Sequence, residues 1–257
     1  MENNFYNIFD SHAHYDDKWF DEDREVLLSS MKENGVCGIV NNSVDLKTAK
    51  VCIDFCEKYD FMYGAVGFHP ENLEDMPNDY LDRVAELLKH KKIVAVGETG
   101  LDYHWDIPKD LQKRVFEEQI KLSLDVNMPI IVHDREAHGD TLNYLRKYKP
   151  KALVHCFSGS VEMMREVMRY GSYISLGGVV TFKNARHSVE VAKEVPIDRL
   201  LLETDCPYMS PVPFRGKRCD STMIKYTAVK IAEIRNIGVQ ELLNITAENA
   251  KRFYGID

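Results

Sequence analysis

Residues 93–102 read Ile-Val-Ala-Val-Gly-Glu-Thr-Gly-Leu-Asp, an apolar run that ends on a glycine and then a carboxylate. A run with no polar face marks a strand buried on both sides, as in a parallel sheet covered by helices. Pro129–His133 (Pro-Ile-Ile-Val-His) and Leu200–Thr204 (Leu-Leu-Leu-Glu-Thr) repeat the form. Further β-rich runs at Asn7–Ser11, Val36–Asn41, Phe61–Gly67, Ala152–Cys156 and Tyr173–Leu176 bring the total to eight. One unit therefore recurs about every 32 residues, as in a (β/α)₈ barrel.

The stretches between the runs read as amphipathic helices. Tyr80, Val84, Leu87 and Leu88 fall at helical spacing, as do Phe116, Ile120 and Leu124. Gly35 sits where a glycine ends the first helix. Residues 221–254 read as two or three helices, with Thr246 as N-cap of the last. The expected fold is an α/β TIM barrel, (β/α)₈, forming a single domain over residues 1–257. A doubly wound open sheet is the runner-up; it usually carries a Gly-rich phosphate loop after the first strand, and none is evident.

The chain has 257 residues, 44% hydrophobic and 29% charged, with a formal net charge of −8. That composition is globular, and no apolar run reaches membrane-spanning length. The opening MENNFYNIFD lacks a basic n-region and an apolar h-region, so a cytoplasmic protein without a membrane partner is expected, read as a monomer. Cys37, Cys52, Cys56, Cys156, Cys206 and Cys219 are too scattered for a disulfide scaffold, and Cys52 and Cys56 read as small buried hydrophobes. The acidic charge argues against broad electrostatic attraction to nucleic acid, so any such contact is local or carried by metal ions.

The chemistry lies where the apolar runs end. His12 and His14 close the first, His69 the third, Glu98 the fourth, His133 and Arg135 the fifth, His155 the sixth, and Glu203 and Asp205 the eighth. In a barrel the C-terminal strand ends carry the active site. Alternation puts residues i and i+2 on one side, so His12 pairs with His14, His133 with Arg135, and Glu203 with Asp205. By the same rule Cys156 and Cys206 are expected to point away from the pocket. Isolated histidines such as His90, His104, His138 and His187 read as packed or hydrogen-bonded residues. The cluster His12, His14, Glu98, His133, His155 and Asp205 reads differently, because burying it without a cation is costly. Imidazoles mixed with carboxylates suit Zn, Mn, Ni or Fe. The donors outnumber what one tetrahedral ion uses, which points to two divalent metal ions sharing a bridging carboxylate and water.

At these residues the sequence resembles the TatD family of metal-dependent hydrolases and deoxyribonucleases. The resemblance runs over essentially the whole chain: FDSHAH at 9–14, GFHP at 67–70, GETGLD at 97–102, HDREA at 133–137, HCFSG at 155–159 and ETDCP at 203–207. It implies His12, His14, Glu98, His133, His155 and Asp205 as metal ligands, with Glu98 bridging. His12, His14 and Asp205 would hold one ion, and His133 and His155 the other. It also implies hydrolysis of DNA phosphodiester bonds, in some members as an exonuclease. A branch of the family is associated with removing D-amino acids from tRNA. The family's stretch resembling RGKRNEP here reads Arg215-Gly-Lys217-Arg218-Cys219-Asp220-Ser221, so the substrate loop departs at Cys219 and Ser221.

The expected chemistry is phosphodiester hydrolysis by water activated between two divalent ions, Zn, Mn, Ni or Mg, on a nucleic acid substrate. Asp205 is the candidate general base and Glu98 the bridge. His69 and Arg135 are expected to position phosphate by charge-assisted hydrogen bonds, and Lys217 and Arg218 to hold flanking phosphates. Glu203 faces either the substrate side or a metal-bound histidine, or fills the lumen without a catalytic part. Three rivals share the pattern: another amidohydrolase-like barrel, a D-aminoacyl-tRNA deacylase, and a non-catalytic metal-binding barrel. The first is disfavoured because Glu98 stands where many relatives carry a carbamylated lysine.

Overall fold

The computed structural model describes residues 5–256. Among them, eight strands succeed one another in chain order: β1 (Ile8–Ala13), β2 (Val36–Asn42), β3 (Met62–Val66), β4 (Ile93–Asp102), β5 (Ile130–Arg135), β6 (Ala152–Val154), β7 (Tyr173–Leu176) and β8 (Leu200–Leu202). Helices α1 (Arg24–Ser30), α2 (Leu46–Lys58), α3 (Tyr80–Leu87), α4 (Lys109–Asp125), α5 (His138–Tyr148), α6 (Val161–Arg169) and α7 (Arg186–Glu194) lie between them, and α8 (Ile224–Arg235) and α9 (Val239–Tyr254) come after the last strand. Each strand pairs in parallel with the next. The ring closes where Ala13 bridges Cys206 and Asp205 N–H donates to the His12 carbonyl at 3.0 Å. This is a (β/α)₈ barrel. No helix among the described residues is long and apolar enough to cross a membrane.

Strand alternation builds two apolar layers. Ile130 and Val132 of β5 pack outward with the helices, whereas Ile131 joins Val40, Ala95, Leu153 and Leu201 in the lumen. Each such fully buried aliphatic side chain contributes about 1.5–3 kcal/mol. Ala247, Ala250, Phe253 and Tyr254 of α9 join the lumen layer, and the Tyr254 hydroxyl donates to the Ser11 carbonyl at 2.8 Å. The lumen is thus a solid plug. His133 lies two residues beyond the plug residue Ile131 on β5 and shares its parity.

Several boundaries differ from the sequence expectation. β4 does not stop at Gly97 but continues to Asp102 through a register shift between Val96 and Thr99. Gly100 permits this: its φ is +148°, and a Cβ there would lie 2.0 Å from the His133 carbonyl oxygen. β6 and β8 end at Val154 and Leu202, two residues short of the expected ends, so alternation no longer governs the residues beyond them. Cys156 (φ +42°) and Asp205 (φ +58°) take left-handed backbone conformations instead. Thr246 caps nothing; it lies inside the continuous α9 and its hydroxyl returns to the Leu242 carbonyl at 3.0 Å. Leu124 is 44% exposed, because the buried face of α4 is carried by Phe116, Gln119, Ile120 and Ser123. Cys52 and Cys56 are buried in the core, as small hydrophobes.

Candidate metal centre

Glu98, 3% exposed within β4, is the hub of the strand-end cluster. Its Oε2 lies 3.2 Å from His12 Nε2 and 3.4 Å from His14 Nε2. Its Oε1 lies 2.8 Å from His155 Nε2, 3.0 Å from His133 Nδ1 and 3.4 Å from His69 Nε2. One carboxylate therefore faces His12 and His14 with one oxygen and His155, His133 and His69 with the other. Asp205 Oδ1 stands 3.5 Å from His14 Nε2 and 3.8 Å from His12 Nε2, on the Oε2 side. Three sets of donor atoms come close enough to share an ion: His12, His14 and Glu98; His12, His155 and Asp205; and His69, Glu98 and His133.

The far side of each ring decides whether a cation fits. His14 Nδ1 lies 3.0 Å from the Asn42 carbonyl, which can only accept, so Nδ1 carries the proton and Nε2 presents a lone pair. That lone pair faces His12 Nε2 at 3.0 Å. His133 Nε2 lies 2.9 Å from Asp102 Oδ2, which leaves Nδ1 as the ring nitrogen that turns toward Glu98. His155 Nδ1 is 3.8 Å from Glu203, and its Nε2 is 3.3 Å from His133 Nδ1. Ring nitrogens and carboxylate oxygens converge on common points, an arrangement that a divalent cation satisfies.

Electrostatics agree. Burial raises Glu98, but the imidazoles of His155, His69 and His12 outweigh it and hold the carboxyl well below its ordinary value. Burial also raises Asp205, and the hydrogen bond with His14 helps bring it below the usual carboxylate value. Burial lowers His133, but its hydrogen bonds to Asp102 and Glu98 outweigh that and carry it up to about 9.

A cavity of about 730 Å³ opens over the cluster. His14, His69, Glu98, His133, His155 and Asp205 reach its wall, as does the exposed Arg135, whose guanidinium lies 5.9 Å from the Trp105 ring centre. Other expected residues fall elsewhere. Glu203 does not reach the cavity: it is fully buried and accepts from Cys156 N–H at 2.7 Å and Ser175 Oγ at 2.5 Å. Lys217 and Arg218 are also absent from the wall. The Arg218 guanidinium is committed to both Asp23 carboxylate oxygens, at 2.7 and 2.6 Å, and Lys217 lies against the Phe214 ring. Cys156, expected to point away, lines the cavity, because its left-handed backbone turns it off the strand pattern, while Cys206 is buried. His104 and His138 sit against Glu136 and Asp134, outside the cluster.

Two contributors are not expected from sequence. Asp102 orients His133, and its backbone is clamped by Gln112 of α4 through two 2.8 Å hydrogen bonds. Asp10 is fully buried beneath His12. It accepts from His12 N–H at 3.3 Å, Thr204 N–H at 3.0 Å, Thr204 Oγ1 at 2.6 Å and Ser221 Oγ at 2.7 Å, tying β1 to the segment that carries Asp205. Extending the β4 run to 102 would have put Asp102 at the same parity as Glu98, and Asp10 shares the parity of His12 on β1.

Comparison with known proteins agrees with this geometry. The model of the family "TatD related DNase" matches residues 9–255. An uncharacterized metal-dependent hydrolase of Bacillus subtilis, YabD, is 46% identical over 97% of this chain and 100% of its own length. Another from Escherichia coli, YcfH, is 35% identical over 97% of this chain and 96% of its own. The crystal structure of the TatD homologue YjjV from Escherichia coli superposes with a TM-score of 0.92 at 28% identity, covering 98% of this chain and 99% of that one. With the barrel, the clustered metal-ligand residues and these matches together, the chain belongs to the TatD family of metal-dependent hydrolases.

Proposed function

We propose that the protein is a deoxyribonuclease that hydrolyses phosphodiester bonds at single-stranded DNA ends, using two divalent metal ions. The observation that carries this reading is the division of Glu98 between two groups of imidazoles, which suits a bridging ligand. His12, His14 and Asp205 would hold one ion, His133 and His155 the other, with Glu98 shared. Once bound, the ions supply Lewis acidity to the phosphoryl oxygens and lower the pKa of the attacking water.

The chain's own residues do the rest. Asp205, kept ionised beside His14, accepts the proton of that water. Arg135 holds a phosphate oxygen by a charge-assisted hydrogen bond. Asp16, Asp17, Glu71 and Asp134 also line the wall, and such a rim repels a polyanion laid across it more than one strand end inserted into it. Trp105 and Tyr208, each about half exposed on that wall, offer faces on which unpaired bases stack.

The test strips the protein with chelator and restores Mg²⁺, Mn²⁺, Zn²⁺ or Ni²⁺ separately. Each form is assayed on end-labelled single-stranded DNA and on a D-aminoacyl-tRNA, with Glu98→Ala as control. Metal-restored nucleotide release that is absent from the control is expected. Deacylation without DNA cleavage would move the function to tRNA ester hydrolysis.

A further inference from the structure

His69 belongs to the cluster by distance but differs from its neighbours in what lies behind the ring. It precedes Pro70 at the start of the short 3₁₀ turn Pro70–Asn72, and its Nδ1 accepts a hydrogen bond from the Glu71 N–H at 3.2 Å. His14 and His133 have an obligate acceptor on the far side, a carbonyl and a carboxylate. His69 has an obligate donor there. A backbone N–H cannot reverse its role, so Nδ1 must be the unprotonated nitrogen.

The consequence is chemical. A neutral ring that ligates through Nε2 carries its proton on Nδ1, and an imidazolium carries protons on both nitrogens. Either form would set an N–H of the ring against the N–H of Glu71. The form that remains is the neutral imidazole with its proton on Nε2, and Nε2 is the atom that faces Glu98 Oε1 at 3.4 Å and borders the cavity. The same local geometry recurs on the surface: His90 Nδ1 accepts from Lys92 N–H at 3.3 Å while its Nε2 meets the Glu57 carboxylate at 2.6 Å. There the Glu57 carboxylate accepts the hydrogen bond that Nε2–H donates.

Building on the two-metal reading, we infer that His69 is not a metal ligand but a neutral Nε2–H donor aimed at the substrate oxygen bound beside Glu98. It gives a hydrogen bond, not a proton. Releasing the proton would leave an imidazolate, and Nδ1 has no proton source to compensate. The arrangement stabilises developing negative charge on oxygen, as a neutral imidazole can. It also replaces the charge-assisted contact expected from sequence. Glu98, His133 and His155 would then be the protein residues that hold the second ion, and His69 would serve the substrate instead.

Three measurements test this. In protein reconstituted with Zn²⁺, His69→Ala is expected to bind as many metal equivalents as the parent by elemental analysis, while His133→Ala binds fewer. Long-range ¹H–¹⁵N spectra of the Zn²⁺-loaded parent, with the His69 signals identified by their loss in His69→Gln, are expected to show the Nε2–H tautomer. In turnover, His69→Ala is expected to fall by about 10²–10³-fold in kcat, and His69→Gln, which keeps a neutral N–H donor, to recover at least about tenfold of that loss. Loss of metal in His69→Ala, an Nδ1–H tautomer, normal turnover in His69→Ala, or glutamine no better than alanine would each overturn the inference. Metal content and tautomer are read without substrate, so they stand apart from the choice between DNA and an aminoacyl ester.

Discussion

Asp102 Oδ2 accepts a hydrogen bond from His133 Nε2 at 2.9 Å, and this is what turns Nδ1 of that imidazole toward Glu98, 3.0 Å away. The carboxylate is 1% exposed and accepts a second bond from His104 N–H at 2.9 Å, so its orientation is fixed before any ion arrives. Partners behind a ligand usually matter about 10–100-fold in metal affinity. Asp102→Ala is expected to weaken binding of the ion that His133 would hold by that factor, read from competitive chelator titration. Asp102→Asn, which still accepts from Nε2 but lacks the charge, should fall between. Unchanged affinity in both would show that His133 is oriented by packing alone.

Glu203 stands behind His155 in a comparable place but with a heavier structural duty. Its oxygens satisfy Cys156 N–H and Ser175 Oγ in a fully buried position. Glu203→Ala leaves both donors without an acceptor and is expected to destabilise the fold by about 1–3 kcal/mol for each donor stranded. Glu203→Gln keeps an acceptor and is expected to fold normally while losing about tenfold in metal affinity. At saturating metal its KM should match the parent; a raised KM would return Glu203 to the substrate side.

Arg135 and Arg218 separate the cations that serve the cavity from those that serve the fold. Arg135 is exposed on the cavity wall and makes no ion pair among the described residues, whereas Arg218 is held by Asp23. Losing a charge-assisted hydrogen bond to phosphate costs about 1.5–3 kcal/mol. Arg135→Ala is therefore expected to raise KM by about ten- to a hundredfold without loss of bound metal. Arg218→Ala is expected to leave KM unchanged and to shift stability by no more than about 1 kcal/mol, as half-exposed pairs do. Steady-state kinetics of the two variants side by side decide it, and a KM effect from Arg218 would restore it to the substrate path.

How much of the molecule is legible in its sequence depends on the range of the forces involved. Ile93–Val96, Ile130–Val132 and Leu200–Leu202 have no polar face, so their burial on both sides can be read locally, and the barrel comes from eight such runs. His12, His14, His133 and His155 carry their chemistry at the ends of those runs and are visible for the same reason. Asp102 is hidden because the glycine at 97 reads as a strand end, whereas β4 passes through it by a register shift that only the neighbouring strand reveals. The aim of Cys156 and the seclusion of Glu203 depend on where β6 and β8 stop, which alternation cannot say. Arg218 reads as a phosphate contact because its partner, Asp23, is 195 residues away, and a basic stretch looks alike whether paired or free.

Ser221 stands where the resemblance expects a proline, and its environment shows what a serine does there. Its Oγ donates to Asp10 Oδ2 at 2.7 Å and lies 2.8 Å from the Tyr15 hydroxyl, while its N–H donates to that hydroxyl at 2.9 Å. A proline, the residue the resemblance expects here, has neither group. All three residues are fully buried, so no water replaces a lost donor. Ser221→Ala is expected to destabilise the protein by about 1–3 kcal/mol, lowering Tm by roughly 2–4 °C for each kcal/mol in a chain of this size. Ser221→Pro fits the first position of the 3₁₀ turn Ser221–Met223 but also removes the N–H, and is expected to fall further. Because Asp10 reaches Thr204 and His12 together, the loss should appear as weaker metal retention as well as lower Tm. Thermal denaturation with and without bound Zn²⁺ measures both, and equal Tm values for parent and Ser221→Ala would mean that Thr204 alone suffices to hold Asp10.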